Sequence, residues 1–559
     1  MTNARTSDLW WKNAVVYCLD PETFLDYDGD GRGDIAGVTE RVDYLAGIGV
    51  SCIWLMPFYP SPNRDDGYDV TDFYGVDSRL GSLGDFVAFV RTAKDRGLRV
   101  IIDLVVNHTS DRHPWFQSAR RSRSSPFRDF YVWADEPPAE PRAGVVFPDA
   151  EDSIWSFDDQ AGQWYLHHFY RHQPDLNIGN PAVRAEIAKV AGFWLELGVD
   201  GFRVDAVPFL IETGGLKATR GLGLDPHEVL RDLRSFMARR RGDAVMLGEV
   251  NLPPKPLRKF FGDGNGDQLQ TLFDFPLMQA MYLSLARQDA RPIGKALKRR
   301  PEIPEESQWA VFVRNHDELT LDQLSERERQ EVFAAFGPEE GMQLFGRGLR
   351  RRLPPMLGGD EVRIRLAYSL LFSLPGTPVL FYGEEIGMGE NLDIPGRLSV
   401  RTPMQWTAER NGGFSSARPA RLARPVVQGE YGPLAANVAD QRRDPDSLLN
   451  WMERMIRRRR ECPEFGWGAI TLLDTADNSV LAHQCEWNAS RVVAVHNLSA
   501  EPRQVAVDLA DVSDIDRIVD LLATAEPVRR LEAPRLELKM EGYGYRWYRL
   551  QRRGTNTAP

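Results

Sequence analysis

Within the apolar run from Val199 to Val207 stand three residues that a plain core strand has no use for: Asp200, Arg203 and Asp205. In an extended strand Arg203 and Asp205 share one face, about 6.6 Å apart along the chain. A guanidinium beside a carboxylate lowers its pKa and keeps it ionised, the state a carboxylate nucleophile needs. A second carboxyl, Glu249 in Gly248-Glu249-Val250, follows the apolar residues Ala244 to Leu247. Desolvation there would raise its pKa and leave it protonated, as an acid catalyst must be. A third, Asp317, lies in Arg314-Asn315-His316-Asp317-Glu318. Two carboxyls facing each other suit the cleavage of a glycosidic bond, one attacking the anomeric carbon and the other protonating the leaving oxygen. Asp205 reads as the nucleophile, Glu249 as the acid and Asp317 as a carboxylate gripping sugar hydroxyls. His108 and His316 are candidate hydrogen-bond partners of the substrate. Taken singly, Arg203-Val-Asp205 is equally the tripeptide of a structural ion pair, and each histidine a satisfied core side chain; only joint placement outweighs that reading.

Short β-rich runs alternate with helical patterns along the chain, the signature of a parallel α/β fold. Strands are predicted over 14–17, 52–57, 100–106, 201–207, 244–250, 271–275, 309–315 and 378–382, and eight of them with helices between predict a (β/α)8 TIM barrel. In such a barrel the site collects at the C-terminal strand ends. Asp103, Asn107 and His108 come with the third strand, Arg203 and Asp205 with the fourth, Glu249 with the fifth, and His316 and Asp317 with the seventh. Ser82 caps a helix whose stripe is Leu83, Phe86, Val87, Val90 and Ala93, stopped at Gly97; Asn180-Pro181 opens another, stopped at Gly198. Three segments break the alternation. The Trp-, Pro- and Arg-rich stretch 108–179 is too long for a connection and predicts an inserted domain after strand three. A charged, helical insertion over about 320–360 carries Glu326-Arg-Glu-Arg-Gln-Glu and Arg350-Arg-Arg352, as a solvated face or a lid. Alternating runs from about Thr471, such as Tyr545-Arg-Trp-Tyr-Arg-Leu, predict a C-terminal antiparallel β-sandwich. The resulting partition is a barrel over 1–107 and 180–465, an inserted domain over 108–179 and a β domain over 466–559, with a frayed tail after Arg552.

The chain's 559 residues exceed one compact core. A net charge of -11 argues against nucleic acid or an anionic membrane as partner. The first residues contain no apolar signal region, and no run of eighteen apolar residues occurs, which predicts a cytoplasmic protein. Cys18, Cys52, Cys462 and Cys485 show no metal-type or disulfide spacing and are expected as reduced core residues. In Asp26-Tyr-Asp28-Gly-Asp30-Gly-Arg32-Gly-Asp34, carboxylates alternate with glycine, a pattern that can wrap a hard cation with oxygen ligands. It opens like an EF-hand loop, but Gly37 stands where the bidentate Glu would fall, which removes that label.

Asp103-Leu-Val-Val-Asn-His108, Gly201-Phe-Arg-Val-Asp205, Gly248-Glu249-Val250 and Asn315-His316-Asp317, in that order, resemble the signature regions of the α-amylase superfamily, glycoside hydrolase family 13. Gln173-Pro-Asp-Leu-Asn177 resembles a fifth region within the inserted domain, and the resemblance spans nearly the whole chain. It implies a retaining mechanism through a covalent glucosyl-Asp205, with Glu249 as acid/base and Asp317 as transition-state stabiliser. By the same resemblance Asp65 and Tyr68 close a pocket around a terminal glucose, and His108, Phe147, Arg203, His316 and Arg397 contact substrate. It favours structural calcium at Asp26, Asp28, Asp30, the Arg32 carbonyl and Asp34, a second ion at Asn107, Asp175 and Glu212, and no organic cofactor. Arg64-Asp-Asp-Gly-Tyr-Asp, Val204-Asp-Ala-Val-Pro-Phe-Leu and Arg401-Thr-Pro-Met-Gln-Trp406 are similar to stretches of those members that interconvert maltose and trehalose by intramolecular glucosyl transfer. Gly248-Glu-Val-Asn251 and the loop 393–399 depart from that subgroup's pattern. A hydrolytic α-glucosidase of short α-glucosides uses the same three carboxyls, with water in place of retained glucose. A barrel reduced to a binding subunit is disfavoured by the complete carboxyl set. The expected partner is a small sugar, with neither nucleic acid nor membrane, and a homo-oligomer is left open.

Overall fold

The computed structural model describes residues 9–136, 144–212, 225, 227–264, 266–509, 512, 515–523, 528–531 and 534–552. Eight parallel strands close into a barrel: β1 (Val16–Leu19), β2 (Cys52–Leu55), β3 (Arg99–Leu104), β4 (Gly201–Val204), β5 (Val245–Gly248), β6 (Thr271–Phe273), β7 (Gln308–Phe312) and β8 (Thr377–Phe381). Each pairs with its neighbour in the chain, and β8 returns to β1 with Val16 opposite Val379. The strands are buried along nearly their whole length, which is why they read as continuous apolar runs rather than alternations.

β4 and β5 are shorter than the predicted runs 201–207 and 244–250. Asp205 and Glu249 each follow the last strand residue, although their N–H groups still bond the neighbouring strand, Asp205 to the Leu104 carbonyl and Glu249 to that of Val204. The mouth of the barrel is itself roofed over, so hydrophobicity does not fall where the strand ends. Gly201 opens β4 at φ +149°, and a Cβ there would lie 2.1 Å from the Val245 carbonyl oxygen, so only glycine lets β4 pack on β5.

Helix α1 (Leu83–Asp95) starts at a capping box in which Ser82 and Asp85 satisfy each other's backbone N–H, and the left-handed Gly97 follows its end. Its buried face is Phe86, Phe89, Val90 and Ala93, whereas Val87, predicted in the stripe, is 42% exposed; the 3.6-residue period passes through 89 and 90. Helix α2 (Pro181–Glu196) has Asn180 as N-cap and the left-handed Gly198 beyond its end.

Between β3 and α2 the chain builds a three-stranded antiparallel sheet in the order Trp133–Ala134, Gln163–Leu166, Trp155–Asp158. The insertion after β7 is only partly helical. Helix α3 (Glu326–Phe336) is flanked by the strands of a small antiparallel sheet, Leu319–Thr320 before it and Gln343–Leu344 and Gly348–Leu349 after it, with Gly348–Leu349 in the middle. Arg350, Arg351 and Arg352 are not a solvated helical face. Arg350 and Arg352 donate to the carbonyls of Ile394 and Val400, and Arg351 pairs with Glu390 at 2.9 Å, so the triplet anchors the loop that carries Arg397.

The C-terminal residues form antiparallel sheets of six and two strands with a core of their own that includes Val493, Val495, Val505, Val507, Leu536 and Leu538. The opposite face of the larger sheet lies on helix α4 (Glu361–Ser373), where Trp547 Nε1 donates to Ser369 Oγ. The predicted frayed tail after Arg552 lies outside the described residues. All four cysteines are buried and free. Among the described residues no helix is long and apolar enough to cross a membrane.

Candidate active site

A cavity of about 380 Å³ opens at the C-terminal ends of the barrel strands, a size within the range of small-molecule sites. Asp65, Tyr68, His108, Phe147, Asp205, Glu249, Asp317 and Arg397 all line it. Arg203 and His316 stand behind that lining, 1% and 0% exposed. They act on the carboxyls from the rear.

Arg203 is placed by register. Its Cα pairs with Asp103 across β3 and β4, so both side chains project into the barrel. The guanidinium then binds three carboxylates: NH1 donates to Asp103 Oδ1 at 2.7 Å and to Asp205 Oδ1, and NH2 to Glu249 Oε2 at 2.6 Å. Asp103 also accepts the Trp54 indole N–H at 2.6 Å, which fixes this platform from below. Immediately beyond Asp205, Ala206 takes the left-handed conformation at φ +51°, unfavourable for a residue with a Cβ, and its N–H donates to Glu249 Oε2 at 3.3 Å. That bend ends β4, starts the helix Val207–Glu212 and brings the Asp205 and Glu249 carboxyls to one guanidinium.

The electrostatics correct one expectation. Arg203 does pull the Asp205 pKa down, but burial is the larger effect and the carboxyl moves up, to about 6. Burial also raises Glu249, against Arg203 and with the help of Asp205 and Asp317, to about 7. The order is the one acid–base chemistry requires, the attacking carboxylate losing its proton before the donor does. Asp317 runs the other way. Burial pushes it up, but His316, Arg397 and Arg401 together hold it well below the usual carboxylate range. Its Oδ1 accepts from Arg397 at 2.7 Å and Arg401 at 3.0 Å, and Oδ2 lies 3.1 Å from His316 Nε2.

One end of the cavity is shut by a cluster around Tyr68. Its hydroxyl meets His316 Nε2 at 2.8 Å and the two rings stack with an interplanar angle of 7°. Burial lowers His316 to about 4, so the imidazole is neutral at pH 7. His108 spends Nε2 on the Tyr68 carbonyl at 3.1 Å. Asp65 bridges Arg397 at 2.7 Å and Gln173 at 2.9 Å, the latter from the fifth sequence motif. Arg397 lies 4.9 Å over the Phe147 ring.

The two insertions meet over the opening. Arg347 donates to the Val146 carbonyl at 2.8 Å, and the Phe345 and Phe147 rings pack 5.0 Å apart. Sequence reasoning did not place Arg347, Phe169 or Asp322 near the chemistry, because each belongs to an insertion with no strand-end signal. Arg401 was visible inside a quoted stretch, but nothing in its spacing pointed to Asp317.

Asp26, Asp28 and Asp34 bring carboxylate oxygens within 4.8 Å of one another, with Gly29 and Gly31 in left-handed conformations between them. An all-oxygen, multiply anionic set of this kind fits a hard divalent cation. Asp30 is exposed and caps the Arg32 N–H instead, and the Arg32 side chain turns to Glu22 at 2.9 Å. In the second expected set Asp175 is already bonded by Asn107 Nδ2 at 3.3 Å and by His168, while the buried Asn107 Oδ1 has no partner. The Glu212 side chain lies outside the described residues.

Residues 18–334 and 350–468 match the alpha amylase catalytic domain, and residues 490–549 the sucrose hydrolase-like C-terminal domain. The chain is 42% identical over 556 residues to the trehalose synthase/amylase TreS of Mycobacterium tuberculosis, covering 98% of this chain and 92% of that protein. It is 41% identical over 564 residues to the trehalose synthase of Pimelobacter sp., covering 98% and 97%. The crystal structure of the trehalulose synthase MutB from Pseudomonas mesoacidophila MX-45 superposes with a TM-score of 0.76 at 27% identity, covering 97% of this chain and 99% of that one.

Proposed function

Because the chain belongs to the α-amylase family, glycoside hydrolase family 13, we propose that it interconverts maltose and trehalose by moving one glucosyl unit within the pocket. The observation that carries this reading is the set of Asp205, Glu249 and Asp317 around one cavity, with the two insertions joined by Arg347 at its opening.

Asp205 attacks the anomeric carbon as the bond to the leaving oxygen breaks, and Glu249 passes its proton to that oxygen, giving a glucosyl ester on Asp205 and free glucose. The ionised Asp317, set between Arg397, Arg401 and His316, holds sugar hydroxyls and offsets the positive charge that develops on the ring. Retained glucose then attacks through its own anomeric hydroxyl, Glu249 takes back the proton, and the product is trehalose. Water in place of glucose gives hydrolysis, so enclosure decides the outcome. Incubation with maltose, followed for trehalose and glucose, tests the reading: trehalose should accumulate beyond free glucose. A product stream of glucose alone would assign the pocket to a hydrolytic α-glucosidase.

The same family supports calcium at Asp26, Asp28 and Asp34, and the loop lies away from the carboxyl triad, so its role is structural. Chelation should lower the melting temperature by several degrees while leaving the activity per folded molecule unchanged, measured by parallel calorimetry and rate assays.

A further inference from the structure

Asp317 Oδ1 is held by two guanidiniums of different character. Arg397 reaches it from the cavity side and places its other nitrogen on Asp65, which also lines the cavity. Arg401 comes from behind. Its NH2 meets Asp317 at 3.0 Å, its Nε donates to the His316 carbonyl at 2.8 Å, and its NH1 turns away to Asp66 Oδ2 at 2.6 Å. The other Asp66 oxygen accepts from Arg424 NH2, which also donates to Glu22 Oε2 at 2.9 Å. Arg424 NH1 donates to Asp20 Oδ2 at 3.2 Å and to the main-chain carbonyl of Arg401 at 2.8 Å. Arg401 is 1% exposed and Arg424 7%. Arg424, Asp20, Glu22 and Asp66 are all absent from the cavity lining.

We propose that Arg424 is a positioning residue for the reaction, acting through Asp66 and Arg401 to hold the Asp317 carboxylate in place; the role given to Asp317 rests on the glucosyl-transfer reading. Two features argue for this over simple filling of a buried site. First, Arg424 controls Arg401 twice, by bonding its backbone and by sharing its carboxylate partner. Second, three carboxylates converge on Arg424: Glu22 also has Arg32 at 2.9 Å and Arg79 at 3.6 Å, Asp66 also has Arg401 at 2.6 Å, and Asp20 has no other ion-pair partner among the described residues. With Arg424 neutralised, the only guanidinium ion-paired to Asp66 among the described residues is Arg401. A buried carboxylate with one remaining cation draws it closer, because an uncompensated buried charge is costly. Arg401 then swings toward Asp66 and loosens from Asp317. Asp66 itself sits at φ +54°, and it is joined in sequence to Asp65 at the end of the pocket.

The test is a mutant cycle in the full-length protein, read as kcat and KM for hydrolysis of p-nitrophenyl α-glucoside, with melting temperatures alongside. Arg424→Gln should lower kcat by about 10- to 100-fold, with KM changed far less, the cost of a misplaced group far from the bond being broken. Arg424→Lys should recover part of kcat, since it restores the charge but not the fork. If Arg424 works through Arg401, the double variant Arg401→Gln/Arg424→Gln should be no slower than Arg401→Gln alone. Losses that multiply in the double variant, or wild-type kcat in Arg424→Gln, overturn the proposal. Should Arg424→Gln not fold, Asp66→Asn with and without Arg401→Gln breaks the same chain at its middle, and a wild-type kcat in Asp66→Asn is likewise fatal to it. A wild type that hydrolyses the aryl glucoside but makes no trehalose from maltose would sink the transfer reading and leave this cycle interpretable.

Discussion

At the scale of single residues, the site is organised by one buried cation with more anionic partners than charge. Arg203 contacts Asp103, Asp205 and Glu249, and its divided charge opposes, without overcoming, the burial that raises Asp205 and Glu249. The working enzyme needs Asp205 ionised and Glu249 protonated, so kcat/KM should be bell-shaped. It should fall below about pH 6 as Asp205 takes a proton and above about pH 7 as Glu249 loses one. A profile flat from pH 5 to 8 would contradict this pair. Asp205→Asn removes the attacking oxygen's charge while keeping its shape. Turnover should drop by at least about a thousandfold with the circular dichroism spectrum and melting temperature near those of the wild type. Much of this chemistry was legible in the sequence, because the carboxyls interrupt apolar runs where a core strand tolerates none. The direction of the Asp205 shift was not, since Arg203 is visible in the tripeptide whereas the depth of burial depends on the two insertions that roof the barrel.

At the scale of elements, the eight strands were readable because a parallel sheet covered on both faces requires unbroken apolar runs. Their ends were less so, for buried apolar residues such as Ala206, Val207 and Val250 continue past the last strand residue. The insertion after β7 was read as helical from its charge pattern, and beside its helix it carries a small sheet whose strands of two residues are too short to show a period. That sheet matters to function, since it carries Phe345 and Arg347 to the inserted domain. Arg347→Ala removes the hydrogen bond to Val146 and opens the seam to water. The share of glucose among products from maltose should rise several-fold while total consumption of maltose changes little, as chromatography of the products would measure. An unchanged product ratio would mean that the seam does not control access. The arginine triplet 350–352 shows the same limit of sequence reading: three consecutive cations suggest solvent, yet Arg352 is 1% exposed and its partners are carbonyls, which leave no sequence signature.

At the scale of the molecule, barrel and C-terminal sheets form one unit. His483 and His496 lie between them, with rings 5° from parallel, bonded to the Ser373 carbonyl and to Ser369 Oγ on α4. Burial lowers His483 to about 4 and holds His496 well below the usual histidine range. Both are therefore neutral when folded and take up protons on unfolding below about pH 6.5, so they contribute stability near neutrality that is lost as the pH falls toward 4. His496→Gln should flatten the fall in melting temperature between pH 7 and 5 by a few degrees relative to wild type; parallel curves would exclude the junction as its source. Trp547 is wholly buried and belongs to the same apolar core as the barrel, not to the separate core between the C-terminal sheets. Its strand, Tyr545–Arg552, is inserted between Ser490–Asn497 and Ile515–Asp520 and follows nearly everything it supports. A nascent chain must thus hold its half-built interior away from other proteins until this strand has been made, and a chain cut before Tyr545 would display a sticky, chaperone-dependent intermediate rather than a finished barrel.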